Sequence, residues 1–458
     1  MKDQIIEKLR TIVGTEHLSD TQADRTLHAQ DQSTHPAVMP DVVIWPGSTQ
    51  EISDIVKVAA EHQIPITAWG AGSSLEGNSI PLKRGISLNF QRMNRVLEVH
   101  ADDFQVTVQP GIFRKELEAH LAQFGLMFAP DPGANASIGG MIGNNAAGIR
   151  TVKYGATRDN VLALELVLAN GDIVRTGSRS IKQSAGYDLR HLVIGSEGTL
   201  ALVTEATLKL VPIPEHFSTA TVAFSSVEEA AAAVFGIIGS GLEPAALEIL
   251  HPDNIAWMNE EAGLDMVVAH SLMMEFSGAS ELAVKEAIDM AQEICEESGS
   301  LGFSGGIGRD ARKTMWELRH SLREWSVRTF PGEHWVITDV AVPISSFPKL
   351  VSYCQEKINE FGFDARIVGH AGDGNMHAGI HFPPDDAAAK ARAIELGHVM
   401  VERAIELGGT CTGEHGIGIG KQKYLIKEYG ETALEMMRVI KQSLDPNHIL
   451  NPGKVIPI

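Results

Sequence analysis

The chain has 458 residues, too many for one core of ordinary size, so two or three domains are expected. Hydrophobic residues at 44% and charged ones at 21% suit a soluble globular enzyme, and a formal net charge of −20 with no basic patch argues against a nucleic-acid partner. Three scattered cysteines, Cys295, Cys354 and Cys411, make neither a disulfide framework nor a CxxC site, which fits a reducing cytoplasm.

The amino-terminal MKDQIIEKLRTIVG alternates charges, has no apolar core of signal-peptide length and carries acidic residues that a transit peptide avoids. No stretch approaches the roughly 20 apolar residues of a membrane span. The expectation is a cytoplasmic protein, with peripheral attachment to the inner face of the membrane left open. Up to residue 213, short β-rich runs such as DVVIWP, QIPITAW and FQVTVQPG alternate with helices such as QEISDIVKVAAEHQ. From 214 the pattern becomes strand then long amphipathic helix, twice over, as in TATVAFSSVEEAAAAVFGIIGSG. That is the pattern of an α+β domain with its helices on one face of an antiparallel sheet, and PIPEH at 212–216 is the expected hinge.

Three glycine clusters mark the β-rich half. ITAWGAGSSLEGNS follows a strand, but a dinucleotide fingerprint would need glycine where Leu75 stands, and the next element, GISLNF, is a strand and not a helix. GIGIGK at 416–421 is no Walker loop either, because Gln422 follows it and His415 occupies the upstream glycine position. The second cluster, APDPGANASIGGMIGNNAAGIRTVKYG, and the third, GSEGTLALVT, let main-chain N–H groups come close to a flat, anionic ligand. Three such loops in one domain point to a large cofactor.

In the second half, IVGHAGDGNMHAGI sets His370 and His377 on two strand-like runs around a glycine-rich turn. If the runs pair, the histidines face each other with Cβ atoms about 5 Å apart, a good bite for a metal ion. The alternative is a hydrogen-bonded histidine pair at a turn.

WGAGSSLEG, DPGANASIGGMIGNNAAGIRTVKYGATRDNVLALELVLANGDIV and GYDLRHLVIGSEGTLALVTEATLKL resemble the FAD-binding domain of the vanillyl-alcohol-oxidase superfamily. ITDVAVPISSFP, IVGHAGDGNMH, GTCTGEHGIGIGK and LDPNHILNPGKV resemble its D-2-hydroxyacid dehydrogenase branch, where FAD-linked D-lactate dehydrogenases lie nearest, beside glycolate oxidase flavin subunits and D-2-hydroxyglutarate dehydrogenases. The fold implied is α+β, with an FAD-binding domain over residues 1–213 and a ferredoxin-like substrate (cap) domain with the metal site over 214–420. Residues 421–458 would return to complete the FAD domain.

The resemblance implies that Gly70, Gly72, Ser73 and Ser74 wrap the FAD pyrophosphate. Asp131, Gly133, Ser137, Gly139, Gly140, Gly143, Asn144, Asn145 and Gly148 would line the pyrophosphate and isoalloxazine, with Tyr154 and Gly155 just beyond. Glu197 and Val203 would lie by the adenosine half, and Asn451 by the flavin ring. The first loop, GAGSSL, lacks an attachment histidine and no cysteine precedes Cys295, so non-covalent FAD is expected.

Further along, His370, His377 and Glu414 match the family's ligands for a divalent metal, a set that suits Zn²⁺ and also Mn²⁺ or Fe²⁺. His415, next in sequence to one of these ligands, has the imidazole chemistry of a general base, the alternative being a fourth ligand or a hydrogen bond to one of the ligands. Arg319 matches the family arginine that pairs with the substrate carboxylate. Arg323, one turn further along the same stretch, is a second candidate. The relatives that act on 2-hydroxyglutarate carry a lysine two residues before the aspartate of VITDVAVP. This chain has Ile337 there, which favours a small monocarboxylate such as D-lactate or glycolate. The expected activity is oxidation of a D-2-hydroxy acid to the 2-keto acid, with electrons passed to a quinone, a cytochrome, an electron-transfer flavoprotein or an iron–sulfur subunit. The rival reading is a catalytically silent flavin or metal subunit of an electron-transfer complex.

Overall fold

Ile52, Ile55, Val56 and Ala59 fall on one stripe of the helix Thr49–His62, which starts where the Ser48 side chain accepts the Glu51 N–H and stops at Gln63 in the left-handed region. The helix connects two strands, Val42–Ile44 and Ile66–Trp69, that flank Ile86–Asn89 and run parallel to it. A five-stranded antiparallel sheet follows, in the order Val96–His100, Gln105–Val108, Leu202–Lys209, Val161–Val167, Ile173–Gly177. Each sheet has its own buried apolar core.

This computed structural model describes residues 1–457, except for the side chains of Ala311 and Arg323. They divide into two units. The first takes residues 1–147, 155–213 and 414–457, and the second 148–154 and 214–413. The sequence reading placed the return at 421 and kept 148–154 in the first unit. The difference has local causes. The Glu197 carboxylate accepts the N–H groups of Ile417 and Gly418, which fixes 414–420 to the first unit. The Lys153 ammonium donates to the Ser277 carbonyl at 3.0 Å, which fixes 148–154 to the second.

The second unit is built on one seven-stranded antiparallel sheet. In chain order its strands are β1 (His216–Phe224), β2 (Ala246–Leu250), β3 (His270–Gly278), β4 (Ser300–Ile307), β5 (His334–Ala341), β6 (Ala365–His370) and β7 (Asn375–Phe382). They lie side by side as β4-β1-β3-β2-β6-β7-β5. The first four keep the ferredoxin-like order, and the last three repeat its first three strands in mirror order, so β2 and β6 join the two halves.

Directly opposed residues point to the same face of an antiparallel sheet, so the registers settle which side chains share a side. Glu248, Glu275, His370, His377, Asp339 and Ile337 share one face. On the opposite face the Ser218 hydroxyl reaches the Val284 carbonyl of the helix Glu281–Glu297, and Gly397 of the helix Ala387–Glu406 packs on Thr338 and Val336. Helices were expected on one face only. Helix Arg309–Thr329, which links the halves, instead covers the side that bears Glu248, with Arg312 over the Phe217 ring and Trp316 bonded to Glu275.

Candidate active site

The five-residue strand ALEIL buries a carboxylate completely at its centre, Glu248. One of its oxygens takes the His370 Nδ1–H; the other takes Arg319 Nε at 3.0 Å and Nη2 at 2.5 Å. Burial alone would raise the Glu248 carboxyl, but electrostatic attraction and hydrogen bonds from His370 and Arg319 more than offset it and hold the group below the ordinary glutamate value. Arg319 therefore has part of its guanidinium committed to Glu248, where the sequence reading gave the whole fork to substrate. The Arg323 side chain lies outside the described residues.

The two histidines share a face but are not directly opposed. The register pairs His370 with Asn375 and His377 with Val368, so they form a diagonal pair with ring centroids 5.4 Å apart and planes at 79°. Their potential ligand atoms lie within 4.8 Å of each other. His377 Nδ1 is 3.3 Å from the Thr338 carbonyl and 3.7 Å from Asp339 Oδ1. Each imidazole thus turns Nδ1 to an oxygen acceptor, the arrangement that presents Nε2 to a metal.

Asp339, fully buried, organises the exit from this unit. It accepts Asn375 Nδ2 at 2.9 Å and the Thr412 hydroxyl at 2.8 Å. A Cβ at Gly413 would come within 2.3 Å of Asn375 Nδ2 and 2.8 Å of Asp339 Oδ1, so only glycine lets the chain pass here. Glu414 is the next residue, with its Cα about 3.8 Å further along.

In the first unit the glycine clusters leave open backbone. A Cβ at Gly133 would meet nothing within 4 Å, one at Gly140 only Ser137 Oγ at 3.2 Å, and one at Gly143 only Glu197 Cα at 3.8 Å. That is space a flat ligand can occupy. Gly70 touches the same place from the first loop, since its Cβ would lie 2.3 Å from Ser137 Oγ, and Gly72 sits at φ +64° against the Trp69 ring. Ser73 and Ser74 follow, half-buried, and the Ser74 carbonyl accepts Gln32 N–H. Asp131 lies in the loop before Ser137; Ser137 caps the short helix Ile138–Asn144, and Asn145 ends it in the left-handed region. Gly139 has a different cause, because a Cβ there would press on Pro110 at 2.7 Å. Gly148 and Tyr154 belong to the piece that joins the second unit, while Gly155, at φ +76°, is back in the first. Val203 lies in the strand Leu202–Lys209, packed against the core.

Two residues expected at the cofactor face inward. The buried Glu197 carboxylate takes Ile417 N–H at 2.7 Å and Asn78 Nδ2 at 2.7 Å as well as Gly418 N–H; burial still pushes its carboxyl up. Asn451 donates to the carbonyls of Asn78 and Glu197 at 3.0 and 2.7 Å. Lys454, whose ammonium burial draws down to about 8, donates to the carbonyls of Asn78 and Ile80. The carbonyl of His415 accepts Asn144 Nδ2 at 3.1 Å, so the candidate base is tied to the helix whose glycines leave the open backbone.

Residues 40–177 match the family model for an FAD binding domain, and residues 213–455 match that for the FAD linked oxidases, C-terminal domain. The chain belongs to the FAD-linked oxidases. This FAD-linked oxidase is 40% identical to the mitochondrial D-lactate dehydrogenase [cytochrome] of Arabidopsis thaliana, over 99% of this chain and 80% of that one. It is 37% identical to a probable D-lactate dehydrogenase of Danio rerio, over 100% and 92% of the two chains. With glycolate oxidase subunit GlcD of Bacillus subtilis it shares 35%, over 99% and 96%. Among solved structures, a p-cresol methylhydroxylase with substrate bound superposes with a TM-score of 0.79 at 18% identity, covering 99% and 96% of the chains. A 4-ethylphenol oxidase from Gulosibacter chungangensis gives 0.80 at 19%, covering 98% and 96%. Those two establish the fold, the α+β vanillyl-alcohol-oxidase type. No helix of the described residues is long and apolar enough to cross a membrane.

Glu248, Asp339 and Thr412 were not singled out as site residues from the sequence. The signal for Glu248 was a lone acid inside an apolar strand, ALEIL, and such an acid needs cationic partners once buried.

Proposed function

We propose that this FAD-linked oxidase converts a small D-2-hydroxy acid, D-lactate foremost, to the 2-keto acid, with FAD held non-covalently and a divalent ion held by His370, His377 and Glu414. The observation that carries the reading is the paired imidazoles, each with Nδ1 on an oxygen acceptor, on a sheet face that also bears Arg319's partner Glu248. Bound FAD supplies a hydride acceptor and a bound divalent ion a Lewis acid for the substrate hydroxyl. His415 takes the hydroxyl proton on its imidazole. Arg319 faces the substrate carboxylate with the part of its guanidinium that Glu248 leaves, and Ile337 walls the side of the small substituent.

The names of the Arabidopsis and Danio relatives favour D-lactate. The name of the Bacillus relative supports glycolate as the second reading. Electrons would leave to an external carrier, a cytochrome being the choice suggested by the name of the plant relative. The test is anaerobic addition of D-lactate to the purified protein. Bleaching of the flavin absorbance is expected, with the yellow colour released into the supernatant on acid precipitation. A flavin that no small D-2-hydroxy acid reduces would leave the silent-subunit reading standing instead.

A further inference from the structure

We propose that Glu248 is the positioning residue that sets His370 for the metal ion and Arg319 for the substrate carboxylate from a single buried carboxyl plane; this rests on the metal site proposed above. Glu248 stands on β2, one of the two strands that join the halves of the sheet, and has no exposed surface. Its two oxygens are divided between two partners that lie 122 and 71 residues away in sequence. The first oxygen accepts from His370 Nδ1, which holds the proton there and leaves the lone pair at Nε2, where a ligand to the ion must have it. The second accepts two N–H groups of one edge of Arg319, so the guanidinium plane follows the carboxyl plane.

A glutamine at 248 keeps the shape but has one acceptor and one donor. Whichever way its amide turns, an NH₂ group meets either the His370 N–H or the Arg319 fork, and one arm of the arrangement is lost. A carboxylate of similar burial on the same face provides the control. Glu275 accepts from Trp316 Nε1 and pairs with Arg312 Nε at 2.8 Å, with no histidine among these partners. Loss of either acid disturbs a buried network, but only loss of Glu248 should reach the ion.

The experiment titrates Zn²⁺ into chelator-treated, FAD-loaded protein by calorimetry, for the wild type, Glu248→Gln and Glu275→Gln, with flavin content and thermal midpoint recorded for each. Glu248→Gln should weaken Zn²⁺ binding about 10- to 100-fold with flavin retained, and should raise the KM for D-lactate; Glu275→Gln should lower the thermal midpoint and keep the wild-type Zn²⁺ affinity. Equal Zn²⁺ affinity in Glu248→Gln and wild type, or equal losses in both variants, would overturn the positioning role and leave the metal site standing. A wild type that takes up no ion would overturn both.

Discussion

Substrate size is the sharpest test of the site, and it turns on Ile337. The β5–β7 register opposes Ile337 to Gly379 and Asp339 to His377, so the isoleucine side chain shares the face of the histidine. Across from it, a Cβ at Gly379 would meet only His381 Nε2, at 3.7 Å, which leaves room for a small apolar group. Burying the methyl of D-lactate against this wall contributes about 0.8 kcal/mol. Arg366 flanks Gly379 on the same face but is stacked on the Trp325 ring and paired with Asp253 and Asp364, so the distal carboxylate of D-2-hydroxyglutarate would lose hydration there against Ile337, at a cost of at least about 1.4 kcal/mol, a factor of ten. D-lactate should therefore exceed D-2-hydroxyglutarate in kcat/KM by at least roughly tenfold. Ile337→Lys should narrow the ratio, although Asp339 on the same face offers the new ammonium a competing carboxylate. Steady-state kinetics with an artificial electron acceptor read both numbers. Equal kcat/KM for the two acids in the wild type, or a ratio unmoved by Ile337→Lys, would show that another residue chooses the substrate.

Chelation should abolish turnover with D-lactate while the flavin spectrum stays that of bound FAD, and full activity in protein shown metal-free by elemental analysis would remove the ion from the reaction. Gly413→Ala should cost about 1–3 kcal/mol in urea denaturation, as overpacking at a filled site does, because the new methyl meets Asn375 and Asp339; an unchanged midpoint would mean that the chain has room there. Lys454 gives a pH dependence. Its folded value of about 8 lies below the ordinary lysine value of 10.5, so between these values the unfolded chain binds more protons and the native state gains stability as pH rises. The stability difference between wild type and Lys454→Met, followed by urea denaturation, should move in the wild type's favour across that window. A flat difference would place Lys454 in water.

The open backbone at Gly133, Gly140 and Gly143 was legible because glycine density is a local signal, confined to one short stretch. The histidine pair was legible for the same reason, since both residues flank one hairpin turn. Their diagonal offset was not, because the register depends on the 371–374 turn and on how β6 and β7 align. Glu248 escaped notice because its partners come from β6 and from a helix far along the chain, and only the order of the sheet brings them to it. The inward turn of Glu197 and Asn451 has the same origin, since what they hold, residues 417–418 and the Asn78 and Glu197 carbonyls, is distant in sequence or in the backbone.

The first unit is completed by residues 414–457, where Ile66 N–H bonds to the Ile449 carbonyl and the Lys441 ammonium spans the Thr199 and Leu450 carbonyls. On the ribosome these residues emerge only after the whole second unit has been made. The parallel sheet around Ile66 must therefore wait, partly closed, while about 200 residues of the second unit fold beside it. During that interval Ile66 and its neighbours form an unfinished edge, open to wrong partners. Refolding yield in this protein should accordingly be governed by capture of the late carboxy-terminal segment, and chaperone dependence should be greatest for chains released before residue 441.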